Sequence, residues 1–140
     1  MRRRAIAVAA LLVLAACNGG GTGGGDGSPV PTCSLVATNP PPTGLPPDFP
    51  TPEGVGYFRV QQAGPSTILD GYWVGVTLEE AFEAYKQAFE DAGYAVTDEE
   101  QEATDAEVNF AGGNSTGQVR LNSRTCAGTV MIGVTIRPGQ

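Results

Sequence analysis

Three cysteines, Cys17, Cys33 and Cys126, carry the only thiol chemistry in this 140-residue chain, and there is no histidine to serve as a general base near neutral pH. Acid–base work would fall to carboxylates. Glu79 and Glu83 have the spacing that places two acids on one side of a helix, but on the charged side that would meet solvent. A serine–lysine pair would need Lys86, the one lysine, which shares that side. The run Asp98, Glu99, Glu100, Glu102, Asp105 and Glu107 offers the oxygen ligands that calcium takes, yet it lacks the central glycine of a calcium loop. No Gly-Lys-Ser/Thr follows the glycine-rich tract, so it is not a phosphate loop. These patterns predict a non-enzymatic chain without metal or cofactor. The binding candidate is aromatic: Trp73 stands between Gly71 and Gly75, and with Tyr57 on a neighbouring strand it would form an apolar platform for a ligand or partner. Ordinary packing of tryptophan over cross-strand glycines is the alternative.

The first of the cysteines sits in a distinctive setting. Arg2, Arg3 and Arg4 precede an apolar run from Ala5 to Leu14, which ends in Leu14-Ala15-Ala16-Cys17. A basic head, a short apolar segment and small residues make an export signal, and the run is far short of the ~20 residues that span a bilayer. With cysteine directly after the small residues, the pattern resembles the lipobox of bacterial lipoproteins, and the Gly- and Pro-rich chain resembles their small actinobacterial-type members. This resemblance implies a diacylglycerol on the Cys17 thiol, cleavage just before it and acylation of the new amino terminus. The implied partner is the lipid bilayer, and the implied location is the extracytoplasmic face of the cell membrane. Each buried methylene contributes about 0.8 kcal/mol, so several acyl chains hold where one is marginal.

Cys33 and Cys126 are then an even pair in an oxidising compartment, which predicts a disulfide. Closing so long a loop stabilises the fold by up to ~4.5 kcal/mol on the chain-entropy account. Two isolated thiols without histidine are a poor set of zinc ligands. The formal charge of the whole chain is −7, and loss of Arg2 to Arg4 with the leader would take it to about −10. Such acidity opposes binding to nucleic acid or to an anionic lipid surface, both of which rely on basic groups replacing counterions, so association with the membrane is expected from the lipid and not from the protein's surface.

The elements that must position these residues follow from periodicity. Residues 1–16 read as the signal peptide, 17–32 as the lipidated cysteine with a Gly-rich tether, 33–53 as a Pro-rich strap held down by the disulfide, and 54–140 as one small domain. Strand character over 56–61 and 67–76 flanks the turn at Gly64-Pro65-Ser66. Thr77 and Glu80 make a capping box, Leu78, Ala81, Phe82, Tyr85, Phe89 and Ala92 form an apolar stripe, and Gly93 ends the helix. A short strand at 94–97, an acidic connector over 98–105, a hairpin turning at 112–117 and a last strand over 130–136 complete the pattern. The order β-β-α-β-β-β predicts an α+β fold, with one helix packed on an antiparallel sheet and a single disulfide.

The resemblance and this fold imply a membrane-anchored domain that binds an envelope protein or a small ligand. A structural or accessory subunit of an envelope complex is the rival, and a small-molecule enzyme the remotest class. Mass spectrometry of the mature protein is expected to show a diacylglyceryl-modified amino-terminal Cys17, and Cys17→Ala is expected to block processing or release the domain from the membrane; an uncleaved leader would refute this.

Overall fold

Local chemistry sets each turn of the sheet. Left-handed Gly64 closes the hairpin turning at 63–66, Gly113 and Asn114, both at positive φ, close the one at 112–115, and Gly128 closes the one at 126–129. The computed structural model describes residues 32–33 and 43–139. Over these the chain runs β1 (Gly56–Ala63), β2 (Ser66–Val74), α1 (Leu78–Asp91), β3 (Ala95–Gln101), β4 (Asp105–Gly112), β5 (Ser115–Cys126) and β6 (Thr129–Pro138). All pairings are antiparallel in one six-stranded sheet of order β1-β2-β6-β5-β4-β3. The α+β architecture is therefore the one the sequence predicts. Cys17 and the signal and tether segments lie outside the described residues, apart from Thr32, as do 34–42 of the strap.

The helix begins and ends as its sequence dictates. Glu80 N donates to Thr77 Oγ1 at 3.2 Å, and Thr77 N donates to Glu80 Oε2 at 2.8 Å. That backbone bond is the chief reason the Glu80 carboxyl is held below its ordinary value of 4.5. At the other end Gly93 takes φ +76°, its N–H bonds Glu90 O at 3.0 Å, and Tyr94 N bonds Phe89 O at 2.8 Å. The pair of bonds satisfies two carbonyls of the last turn and brings the Tyr94 ring to 5.9 Å from Phe89. Leu78, Ala81, Phe82, Tyr85 and Phe89 are buried, while Ala92 is exposed at the cap.

One sheet face carries the core. Val108 and Phe110 of β4, Val119 and Leu121 of β5, and Val130, Ile132 and Val134 of β6 all point to the helix side. The helix packs over β3, β4 and β5. The remaining area is covered by the Pro-rich strap, whose Phe49, Pro50 and Pro52 are buried and whose Leu45 packs on the core, followed by Val55 just beyond it. Phe49 is the anchor, with ring centroids 5.9 Å from Phe89 and 5.7 Å from Phe110. Cys33 and Cys126 form the predicted disulfide, Cα atoms 5.4 Å apart, which fixes residue 33 at the end of β5.

Two expectations need correction. The acidic stretch read as a connector is largely strand, because β3 continues to Gln101 and leaves only Glu102 to Thr104 as the turn. An edge strand tolerates Asp98, Glu99 and Glu100, since one side of it has no neighbour, and such charges discourage edge-to-edge pairing. The second strand ends at Val74, and left-handed Gly75 turns the chain toward the helix while its N–H bonds Gly128 O at 2.9 Å. Phe49→Ala is expected to destabilise the fold by about 3–4 kcal/mol in denaturant unfolding, because it opens a cavity between strap, helix and β4; a loss below about 1 kcal/mol would mean that the strap only rests on the surface.

Candidate functional site

Pairing register decides which side chains a ligand could reach. Trp73 pairs with Val130 and Leu69 with Val134, so Trp73 belongs to the helix-side face and not to the open one. It is partly buried against the core, its ring lying over Gly54 just beyond the strap. Tyr57 pairs with Gly71 on the same face and is 7 % exposed. The expected platform of Trp73 and Tyr57 on an open face is thus overturned. Gly71 is covered by the Tyr57 ring, whose Cδ1 would lie 2.8 Å from any Cβ placed there, and Gly75 belongs to the turn beyond the strand. Gly71 thus admits a ring from above and leaves no bare floor.

Tyr57 and Tyr85 share a hydrogen bond of 3.1 Å between their phenol oxygens. Burial pushes both phenols above the ordinary value of 10.0, Tyr85 the more strongly. The pair ties β1 to the helix across the core.

The opposite face of the sheet is covered by no helix or strand among the described residues. Its positions are the alternate set: Ile68, Asp70, Tyr72 and Val74 on β2, Met131, Thr135 and Arg137 on β6, Gln118, Arg120 and Asn122 on β5, and Glu107 and Asn109 on β4. A bulge after Tyr57 shifts β1, so Arg59 meets Asp70 and its Nε lies 2.7 Å from Asp70 Oδ2. Phe58 stacks on Tyr72 with centroids 6.1 Å apart.

The open face has two zones. Toward β1 lies an apolar strip of Phe58, Tyr72, Met131 and Val74, ending at the disulfide: Met131 Sδ is 3.9 Å from Cys126 Sγ. Val74, at 61 % exposure, is the large apolar side chain most open to water among the described residues. Toward β3 and the far end of the strands lies a polar groove of about 360 Å³ lined by Thr97, Asn109, Thr116, Gln118, Thr135 and Arg137. Beside the groove, Gln118 Nε2 donates to Glu107 Oε2 at 2.7 Å and Arg120 Nε donates to Gln118 Oε1 at 2.9 Å. This fixes the Gln118 amide.

The cations are unevenly employed. Arg59 pairs with Asp70, Arg120 with Glu107, Arg124 with Asp105, and Lys86 with Glu83 and Glu99. Arg137, at the groove, has no acidic partner among the described residues. Asp105 is held below its ordinary carboxylate value of 3.8, first by the Thr104 hydroxyl, then by the Asn122 amide and Arg124. The acidic run, which lacks the central glycine of a calcium loop, lies along the β3 edge, the turn to β4 and the start of β4.

Sequence reasoning missed Phe58, Tyr72, Met131, Arg137 and the groove. One signal was present: Asp70 cannot face a core, so residues of its parity in β2 face water and Trp73, of the other parity, faces inward. The bulge that turns Phe58 outward has no such signal. No family model matches the chain, and no curated protein or solved structure matches it.

The buried phenols set a pH dependence. Their raised folded-state values mean that the stability they contribute is complete below about pH 10 and is lost as pH rises through those values. Replacing both by Phe removes the two buried ionisable groups, so Tyr57→Phe/Tyr85→Phe is expected to move the midpoint of alkaline unfolding upward, followed by circular dichroism; an unchanged midpoint would refute the coupling.

Proposed function

We propose that this chain is an exported lipoprotein, anchored through acylated Cys17 to the extracytoplasmic face of the cell membrane, whose small domain binds a ligand or an envelope partner without catalysing a reaction. The observation that carries the binding reading is the uncovered sheet face with Arg137, a cation without an acidic partner among the described residues, beside a groove of hydroxyls and amides. A cation in that setting suits an anionic group, such as a carboxylate, presented with further hydrogen-bonding oxygens. Glu80 and Asp105, the carboxyls with lowered values, are engaged in a helix cap and a turn, which favours a structural role for them over acid–base work. The anchoring reading is supported by the leader and the Leu14-Ala15-Ala16-Cys17 pattern.

The test is capture by crosslinking in the native envelope. Arg137→Ala is expected to weaken capture roughly 10- to 150-fold, the range for a lost charge-assisted hydrogen bond of about 1.5–3 kcal/mol. Glu90→Ala, on the helix, is expected to leave capture unchanged. Equal capture by both variants would refute the groove as the contact.

A further inference from the structure

The apolar strip and the polar groove occupy opposite ends of one open face, and the place where the chain enters the domain distinguishes them. We propose that the strip of Phe58, Tyr72, Val74 and Met131 seats on the surface of the lipid bilayer itself, which turns the groove of Arg137 away from the membrane. This inference rests on the anchoring reading of Cys17.

Three observations converge on it. First, the disulfide fixes the attachment point: Cys33 is bonded to Cys126 with Cα atoms 5.4 Å apart, Cys126 pairs with Thr129, and Thr129 pairs with Val74, so the chain enters beside Cys126, which lies two strand spacings, ~10 Å, from Val74. Met131, in contact with Cys126 Sγ, continues the strip to Tyr72 and then Phe58. Sixteen residue steps separate Cys17 from Cys33, a covalent span of at most about 55 Å, so on the anchoring reading the strip is confined near the headgroups at a high effective concentration. Under that confinement an apolar patch too small to bind a membrane from free solution becomes occupied.

Second, charge selects the face. Downstream of the lipobox the cations are Arg59, Lys86, Arg120, Arg124 and Arg137, and all but Lys86 reach the open face, where Asp70, Asp98, Glu100, Asp105 and Glu107 bring the charge close to balance. The helix presents Glu79, Glu80, Glu83, Glu90 and Asp91 against Lys86 alone. An anionic lipid surface therefore repels the helix side and tolerates the open side, although the mature chain is acidic.

Third, the strip has the composition of an interfacial contact. Tyr72 and Phe58 form a stacked aromatic pair with one polar tip, and Val74 stands 61 % exposed at the strand end. Aromatic rings with a wet edge are favoured at the headgroup level. The groove lies at the opposite end of the strands, because Arg137 and Thr116 pair eight and ten residues along the chain from Thr129 and Cys126. A domain seated by its strip thus keeps the groove open to the aqueous side.

The test uses the full lipidated protein in vesicles of zwitterionic and anionic phospholipids carrying bromine on the upper acyl chain. Trp73 is the only tryptophan, so Trp73→Phe frees the signal for probes at Val74→Trp and, on the helix, Glu90→Trp. A residue seated ~5–10 Å into the headgroup and acyl boundary should lose about half its emission. The expected result is strong quenching at 74 and little at 90. Val74→Cys carrying a polarity-sensitive fluorophore, in the chain that keeps Trp73, provides a second readout, and its emission should shift to the blue on vesicles; no shift overturns the seating. Protein that floats with the vesicles but shows equal quenching at 74 and 90 overturns the seating while leaving the anchor intact. Protein that fails to float overturns the anchoring reading and the seating with it. Crosslinks from position 74 to another protein or to a second copy, without lipid quenching, assign the strip to a protein contact and also overturn the proposal.

Discussion

Covering one face of a wide sheet is the constraint on which the rest of this structure depends. Strands lie about 4.8 Å apart, so the outer two of six are separated by about 24 Å. A helix with its side chains is only about 10 Å across. The single helix accordingly sits over β3, β4 and β5, and something else must cover β1, β2 and β6. That element is the proline-rich strap, which supplies Leu45 and Phe49 to the core, with Val55 just beyond it, and is closed at its start by the bond between Cys33 and Cys126. Prolines suit the task because they lose little conformational freedom on being ordered and need no partner for an N–H.

Large rings fill the space between these three layers, and glycines make room for them. Phe110 lies across the strand from Gly117, and a Cβ there would come within 2.5 Å of the Phe110 ring. Tyr57 covers Gly71 in the same way. Phe49, Phe89, Phe110 and Tyr94 then form one aromatic cluster, with Phe89 and Phe110 stacked at 4.6 Å. The arrangement explains why an aromatic beside glycines on a strand need not mark a binding platform.

Once the helix side is closed by helix and strap, the other side of the sheet is left for interaction by geometry alone. Its zoning follows from two separate facts: the disulfide brings the tether to the β5 end, next to the apolar strip, and the acids are concentrated on the helix and the β3 edge. On the anchoring reading proposed above, these asymmetries give the domain a preferred way to stand on a membrane.

Much was legible in the sequence where the deciding contacts lie within a few residues. The Thr77–Glu80 cap, the apolar stripe to Phe89, the stop at Gly93 and the hairpin turns are read from neighbours three or four positions apart, and each is found in place. The pairing of Cys33 with Cys126 was legible for another reason, since the lipobox pattern claims Cys17 and leaves one combination. Tertiary structure alone decided that Phe49 anchors the strap, that the acidic run can be an edge strand, and that a bulge turns Phe58 outward beside Tyr72. It also decided that Trp73 points inward. The physical reason is that the facing of a strand is set by which side of the sheet is covered, and here the cover comes from a strap and a helix distant in sequence from most of the strands they shield.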